Sequence, residues 1–404
     1  MEPDAQPPIT FDSLHAAAER ILTDYCGRAI GIERATLLTD ADRRNRIWRC
    51  HLQGAAGPLP ETVIMKQVSP EGYDPAKVDA WDTNRFFRDW SGARFLSEIA
   101  PAEKHGPLFY GGDIERGFIV LEDMGEHTSL VEPLLQGDAI SARDALIAFA
   151  KRLGQMHAST MGKEEQYRRI QRDISPAWAE GEVKSPDAAH QERVKQIAEF
   201  TEICTGLGIE PGDGAAQEFG SALQRLDEPG PFRTFLHSDP CPDNVFYHAP
   251  ELRLIDFEFS CFGHALRDGL YGRLPFPTCW CANAVPAEIV VKMEEIYRSE
   301  LSWACPDAMD NRHFAQEASA VAAFWTVGVL KWELERALKE DGRWGIAGTR
   351  ERILSRLQMF LDTARDADQM PALCAVYTKV LADLQSRWPD ATPMPVYPAF
   401  RTGD

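Results

Sequence analysis

Hydrophobic residues recur every three or four positions between residues 11 and 30, which predicts a helix with one apolar face. Shorter runs that are apolar or alternate with polar residues follow, and they are typical of strands. The predicted strands are 47–52, 62–68, 108–110 and 118–121. A second helix is expected over 83–100, ahead of Pro101. The beginning of the chain is therefore predicted to be strand-rich with an inserted helix.

Helical periodicity dominates the rest of the chain. The predicted helices are 139–156, 191–205, 215–226, 287–303, 312–339, 349–364 and 372–388. One segment of β character, 235–259, interrupts them. We therefore predict an α+β protein with a β-rich N-terminal lobe over residues 1–124 and a mainly helical C-terminal lobe over residues 125–404.

The composition of the chain excludes some classes of binding partner. Its 404 residues carry a formal net charge of -19, and such a surface repels nucleic acid and anionic membranes. No apolar run reaches the roughly 20 residues that a membrane-spanning helix needs. Nine cysteines are scattered without a CxxC motif, and residues 1–10 show no apolar signal segment. We expect reduced cysteines and a cytoplasmic protein; the pattern predicts no oligomeric state.

The β-type segment carries the candidate chemistry. It contains the pattern H-x-D-x-x-x-x-N over 237–244, then a hairpin, then Asp256. Asn244 opens the first strand and Asp256 closes the second, so we expect both at the open end of the hairpin, beside the loop of Asp239. Oxygen ligands suit Mg²⁺, and phosphoryl transfer needs metal ligands and a carboxylate that orients the attacking hydroxyl. The predicted roles are catalytic base for Asp239 and metal ligands for Asn244 and Asp256.

These motifs resemble those of the aminoglycoside phosphotransferase and choline kinase families, which are relatives of the protein kinases. Their catalytic loop has the form H-G-D-x-x-P-x-N. Here Ser238 replaces the Gly of this pattern, and Asp243 stands where those families have a Gly before the Asn. Cys241 stands where protein kinases carry Lys, and Glu258 where they carry Gly, which favours a small-molecule kinase. The resemblance implies a protein-kinase-like two-lobed fold, with ATP and Mg²⁺ as cofactors. It also implies that Asp268 braces the catalytic loop.

The same resemblance implies a nucleotide site in the first lobe. Lys66, on a predicted strand, would hold the α- and β-phosphates. A helix acid would pair with it, either Asp89 on the apolar face of the helix or Glu98 near the helix end. The backbone of Glu122 and Met124 would bind adenine.

The segment 38–46 would cover the phosphates of the nucleotide. Asn45 and Arg46 are the candidate contacts, with Arg43 and Arg44 as alternatives. A solvated run of charge is an equally good interpretation of this segment.

The acceptor is the least constrained part of the prediction. Glu258 and Asp243 lie beside the motifs, and with the acidic net charge they favour a cationic small molecule bearing a hydroxyl. Alternatively, Glu258 braces the loop. Four aromatic residues, Trp280, Trp325, Trp332 and Tyr271, are candidates for lining an acceptor pocket, although aromatic residues on helices are usually part of a core.

The predicted function is ATP-dependent transfer of the γ-phosphoryl group to a hydroxyl of a small molecule, such as an antibiotic, an amino alcohol or a sugar-like compound. The alternatives are a nucleotide-binding pseudokinase or scaffold, and nucleotidyl transfer on the same fold. A pseudokinase is disfavoured because Lys66, Asp239, Asn244 and Asp256 occur together. The chain contains no G-x-x-x-x-G-K-[ST] motif, which excludes a P-loop enzyme.

Overall fold

A computed structural model describes residues 11–40, 43–53, 57, 59–69, 71–126, 128–183 and 185–401. The N-terminal segment 1–10 lies outside the described residues, as do Ala41 and Asp42 of the predicted phosphate-covering segment.

Helices and strands alternate early in the chain and helices prevail later. The strands are β1 (Gly31–Leu37), β2 (Asn45–Gln53), β3 (Thr62–Val68), β4 (Phe109–Asp113), β5 (Phe118–Glu122), β6 (Arg233–Leu236), β7 (Val245–His248), β8 (Glu251–Leu254), β9 (Cys261–His264), β10 (Arg343–Trp344) and β11 (Ala347–Gly348). The α-helices are α1 (Phe11–Cys26), α2 (Trp81–Ile99), α3 (Val131–Leu135), α4 (Ala139–Thr160), α5 (Glu164–Ile174), α6 (Pro176–Gly181), α7 (Pro186–Gly206), α8 (Gly212–Asp227), α9 (Leu266–Gly269), α10 (Ala287–Leu301), α11 (Asn311–Lys339), α12 (Thr349–Asp366) and α13 (Pro371–Arg387). Short 3₁₀ turns lie at Gly230–Phe232, Pro242–Asn244, Pro306–Met309 and Pro398–Phe400.

The chain divides into two compact units. The first comprises Met1–His127, Glu165–Val183 and Arg253–Ser260, and the second comprises Thr128–Glu164, Lys184–Leu252 and Cys261–Asp404. Within its described residues, the first unit contains an antiparallel sheet and the second is mainly helical. The predicted α+β class, with a strand-rich beginning and a helical remainder, is confirmed.

The sheet of the first unit has five strands in the order β1-β2-β3-β5-β4. The central strand β3 pairs Lys66 with Ile47 of β2 and with Ile119 of β5. Because side chains alternate across a strand, Val63 and Met65 face away from Lys66. They belong to the hydrophobic core that α1 covers, and each is only 1% exposed. One face of β3 is therefore committed to the core, which leaves Lys66 on the other face.

Strand β1 and helix α5 are among the elements of the first unit that have no counterpart in the sequence prediction. Strand β1 buries only Ile32 fully, so its sequence lacks the alternation that marks a half-buried strand. Helix α5 has just three apolar side chains that are buried, Tyr167, Ile170 and Ile174, in an otherwise charged segment. Both elements show too little hydrophobic pattern to be recognised alone.

The second unit packs long helices around α11. This helix buries most of the run that begins at Ala318, and α8 and α12 are among its neighbours. The helix predicted over 312–339 is thus confirmed. Among the helices in the described ranges, none combines the length and the apolar character needed to cross a bilayer.

Candidate active site

Lys66 is the centre of a charged cluster in the first unit. Its Nζ lies 2.8 Å from Asp89 Oδ2 and 2.8 Å from Asp256 Oδ1. Glu258 Oε1 is 3.6 Å away. The side chain of Lys66 is only 12% exposed, so little water screens these contacts. Of the two helix acids that the sequence left open, Asp89 contacts Lys66, whereas Glu98 pairs with arginines on the surface.

The electrostatics of this cluster keep Lys66 charged. Burial alone would lower the pKa of Lys66, but attraction and hydrogen bonds from Asp256 and Asp89 outweigh it and hold that pKa above its usual value. Burial raises the pKa of Asp89, while Lys66 and the backbone amide of Phe257 act in the opposite direction. A protonated lysine between carboxylates can bind phosphate oxygens without a proton transfer.

Helix α2 reaches this cluster because it has a glycine at the point of closest approach. A Cβ on Gly92 would lie 2.6 Å from the Cβ of Phe257, so a larger side chain would push the two segments apart. One turn earlier on α2, Asp89 Oδ1 accepts a hydrogen bond of 2.9 Å from the amide of Phe257. Asp256 precedes that amide and has a left-handed backbone, with φ of 67°. The close approach and this turn bring Asp89 and Asp256 to the same lysine.

Glu258 is buried inside the same unit and is surrounded by donors. Its carboxylate pairs with Arg85 of α2 and with Arg44, the latter at 2.9 Å, and accepts a hydrogen bond from Asn45. Only 4% of Glu258 is exposed. Sequence reasoning placed Glu258 and Asn45 in separate roles. It missed Arg85, which is buried one turn before Asp89 on α2.

The remaining nucleotide candidates of the first unit lie at or near the ends of strands β2 and β5. Arg46 makes a loose, exposed ion pair with Glu71 at 3.7 Å. The side chain of Glu122 accepts hydrogen bonds from the Leu108 amide and from Arg253. Met124 follows β5 in an irregular segment. The adenine contacts predicted for the backbone of Glu122 and Met124 remain predictions.

In the second unit, Asp239 and Asn244 form a fixed pair. Asn244 Nδ2 donates to the backbone carbonyl of Asp239 at 2.9 Å and to its Oδ2 at 3.2 Å. Thr278 donates its hydroxyl to Oδ1 of the same carboxylate. Because Asn244 directs its nitrogen at Asp239, its amide oxygen is the atom available to a metal ion. Sequence reasoning missed Thr278, which follows a Pro-rich loop and has no motif around it.

A buried carboxylate holds the catalytic loop from behind. Asp268 Oδ2 accepts hydrogen bonds from the amides of His237 at 2.7 Å and Ser238 at 3.2 Å. Tyr271 donates to the carbonyl of Ser238 at 3.1 Å. Ser238 has φ of 65°, a conformation that costs a non-glycine residue free energy, and this explains why glycine is common there in the similar families. The bracing role that the resemblance implies for Asp268 agrees with these contacts.

A disulfide bond joins Cys241 of the catalytic loop to Cys279. The prediction that all cysteines are reduced is therefore wrong for this pair; the other seven are free. Distance along the chain hid the pairing, since 38 positions separate the two residues. Stable disulfides are uncommon in reducing compartments, so this bond weighs against the cytoplasmic location. Next to Cys279, Trp280 donates its indole N–H to exposed Asp243 at 2.8 Å.

The donor set suits Mg²⁺. Within the first unit, one carboxylate oxygen each from Asp89, Asp256 and Glu258 can lie within 4.8 Å of the others. Asp256 is the most accessible of the three, with 32% of its side chain exposed against 5% for each of the others. Mg²⁺ takes oxygen ligands and keeps several of its waters, so an accessible carboxylate is the fitting ligand. Asp256 in the first unit and the amide oxygen of Asn244 in the second are chemically suited to it.

The sequence matches the phosphotransferase enzyme family over residues 75–286, slightly more than half of the chain. The matched region includes Asp89, Asp239, Asn244 and Asp256, whereas Lys66 precedes it. The chain belongs to this family. The resemblance drawn from the motifs is therefore confirmed, and the chain is classed as a phosphotransferase.

Similar solved structures include small-molecule kinases. A choline kinase from Cryptosporidium parvum Iowa II is 14% identical, with a TM-score of 0.45, and the match covers 87% of this chain and 93% of that one. An ADP-bound aminoglycoside phosphotransferase is 13% identical over 85% of this chain and 95% of its own, with a TM-score of 0.43. A spectinomycin phosphotransferase with ADP and spectinomycin is 14% identical over 92% and 98%, with a TM-score of 0.40. No curated protein sequence matches this chain.

Proposed function

We propose that this protein transfers the γ-phosphoryl group of ATP to a hydroxyl group of a small molecule. Asp239 orients the acceptor hydroxyl and takes its proton, while Asn244 and Asp256 hold Mg²⁺. Lys66 binds the α- and β-phosphates, and the backbone of Glu122 and Met124 binds adenine. Family membership supports the phosphoryl transfer, and the motif pattern supports the assignment of these roles.

The observation that carries the proposal is the fixed geometry of Asp239. One oxygen of its carboxylate accepts a hydrogen bond from the hydroxyl of Thr278, and the other accepts a hydrogen bond from the side-chain amide of Asn244. A general base must be oriented before the reaction, because reorienting it in the transition state costs rate. Two side chains, those of Thr278 and Asn244, therefore hold the carboxylate, and Asp268 in turn holds the loop.

The remaining residues of the site have supporting roles in this proposal. Lys66 stays protonated between Asp89 and Asp256, so its positive charge is available to bind the phosphate oxygens of ATP. Bound Mg²⁺ would offset charge on the transferred phosphoryl group. Glu258 is enclosed by Arg85 and Arg44, so its contacts disfavour direct contact with an acceptor.

The test is ADP release from ATP and Mg²⁺ in the presence of a panel of hydroxylated antibiotics, amino alcohols, sugars and hydroxy acids. Asp239→Asn should lower turnover by about 10²–10⁴-fold with any acceptor found, while ATP binding changes little. The matched control is Asp144→Asn, an exposed carboxylate in the second unit, which should keep wild-type turnover. Turnover of Asp239→Asn within a few-fold of wild type would remove Asp239 from the mechanism.

The product distinguishes the alternatives. A phosphorylated acceptor in the mass spectrum supports the proposal, and an acceptor carrying a nucleotidyl group shows nucleotidyl transfer instead. ATP binding without turnover for every member of the panel would favour the pseudokinase.

A further inference from the structure

The second unit contains a cavity of about 510 Å³ next to the proposed base. Thr278, which donates to the carboxylate of Asp239, is part of its lining. Three tryptophans also line it: Trp325, Trp332 and Trp344. Flat aromatic walls of this kind bind flat apolar groups.

The charge of the cavity is opposite to that of the whole chain. Four arginines line it, namely Arg336, Arg343, Arg352 and Arg356, against a single carboxylate, Glu333. Arg336 forms an ion pair with Glu333, which neutralises both. The cavity therefore retains an excess of positive charge, although the net charge of the chain is -19.

Arg356 is the most unusual of these residues. It is only 5% exposed, and its Nε and Nη1 atoms are buried with no hydrogen-bond partner among the described residues. Burial lowers its pKa to about 9, with Tyr271 acting against this shift and Arg352 adding to it, so at neutral pH the guanidinium is still charged. A buried charge without a partner is costly, and such groups are kept where a ligand supplies the partner.

Arg352 holds the wall of the cavity. It lies one helical turn before Arg356 on α12 and donates to the carbonyl of Cys279 at 3.0 Å and to that of Trp344 at 2.9 Å. These backbone carbonyls satisfy part of the hydrogen-bonding capacity of Arg352. Nε and Nη1 of Arg356 have no such acceptor among the described residues. The two arginines share the buried face of α12 with Phe360. The spacing of four residues between them is visible in the sequence and predicts that all three lie on one face of the helix.

We propose that this cavity binds the hydroxyl acceptor, and that the acceptor carries an anionic group opposite Arg356 and a flat apolar body between the tryptophans. This inference rests on the proposed function, because it places the acceptor beside Asp239. It replaces the cationic acceptor that the acidic composition favoured. The net charge describes the whole surface, whereas specificity depends on the side chains that line the cavity.

Two matched probes test the anionic group. 6-Hydroxy-2-naphthoate and 6-hydroxy-2-naphthamide share ring and hydroxyl and differ in charge. Calorimetric titration into the full chain, without nucleotide, should show the acid binding at least about tenfold more tightly than the amide. Equal binding of the two probes, tighter binding of the amide, or no binding of the acid at millimolar concentration would overturn the proposal.

Substitution of the arginine tests where the charge is recognised. Arg356→Met keeps a long side chain and removes the charge, so the preference for the acid should fall to within about threefold, a loss of at least about threefold. Arg365→Gln is the matched control, since it removes an exposed arginine of the same helix, and it should retain the full preference. A preference that survives in Arg356→Met would overturn the assignment.

Thermal unfolding separates ligand recognition from a structural role. Removing an unpaired buried charge should leave the Tm of ligand-free Arg356→Met at or above that of wild type. A lower Tm with an unchanged preference would show a structural arginine and refute the proposal. The comparison of the two probes on wild-type protein decides the question even if the variant does not fold.

The outcomes also separate this inference from the proposed function. Anion binding that depends on Arg356, without ADP release for any acceptor, would leave the anion site standing and remove the phosphotransferase activity. ADP release with cationic acceptors alone would support the phosphotransferase activity and refute the anionic acceptor.

Discussion

Replacing Lys66 by Met should destabilise the protein strongly, because it leaves the carboxylates of Asp89 and Asp256 facing each other without a cation. At 2.8 Å and an effective dielectric constant of about 20, each ion pair has a gross attraction of about 6 kcal/mol, most of which desolvation offsets. Removing one partner of a buried pair typically costs about 3–5 kcal/mol. Asp256 is partly exposed and water screens it, so we expect about 3 kcal/mol, mainly from Asp89.

A double-mutant cycle makes this reasoning precise. Asp89→Asn should cost less, about 1–2 kcal/mol, since Lys66 keeps Asp256 as a partner. In the double variant neither residue of the pair keeps a buried charge without its partner. The double variant should therefore lose at least about 1 kcal/mol less free energy of unfolding than the sum of the two single variants. Equilibrium urea unfolding at pH 7.5 measures each free energy of unfolding.

The matched control is Lys77→Met. Lys77 belongs to the same unit and pairs with Asp74 at 3.1 Å, but its side chain is 75% exposed. Its loss should change the free energy of unfolding by no more than about 0.5 kcal/mol. Strictly additive effects of Lys66→Met and Asp89→Asn, or a Lys66→Met variant as stable as the control, would refute the argument.

The pH dependence of this contribution follows from the raised pKa of Lys66. The folded protein retains a proton that the unfolded chain releases above about pH 10.4, so the stabilisation is complete below that pH. It is lost as the pH rises further, through the pKa of the folded state. The difference in stability between wild type and Lys66→Met should therefore be flat from pH 7 to 9 and shrink only above about pH 10.4. A difference that shrinks near neutral pH would mean that Lys66 is not the ion-paired group.

Two further outcomes are expected. Asp256→Ala should abolish the Mg²⁺ dependence of ATP binding and the turnover with it, as measured by calorimetry with and without EDTA; retention of both would show that Asp256 is not a metal ligand. Alkylation of the unreduced, denatured chain should label the seven free cysteines, and all nine after reduction, because Cys241 and Cys279 are bonded. Nine labels before reduction would show that this disulfide does not form in solution.

Part of the geometry of the candidate site could be predicted from the sequence, because phosphoryl transfer demands particular residue types at short spacings. Asp239 and Asn244 lie five positions apart in one loop, and the structure joins them by hydrogen bonds. The apolar run beside Lys66 in residues 62–68 predicts the strand, and the alternation of side chains along a strand places Lys66 on the face opposite Val63 and Met65. Local signals of this kind depend on the backbone geometry of a few residues, which is why a sequence contains them.

Only the tertiary structure decided which residues pair when they lie far apart in the chain. Asp89 was preferred to Glu98 because Gly92 lets α2 approach Phe257, a contact that no spacing encodes. The bond between Cys241 and Cys279 and the enclosure of Glu258 by Arg85 arise in the same way. Periodicity reports which face of an element is buried, but the identity of the partner depends on how elements pack. The unpaired charge of Arg356 in the tryptophan-lined cavity is a property of that packing, whereas the net charge of the sequence has the opposite sign.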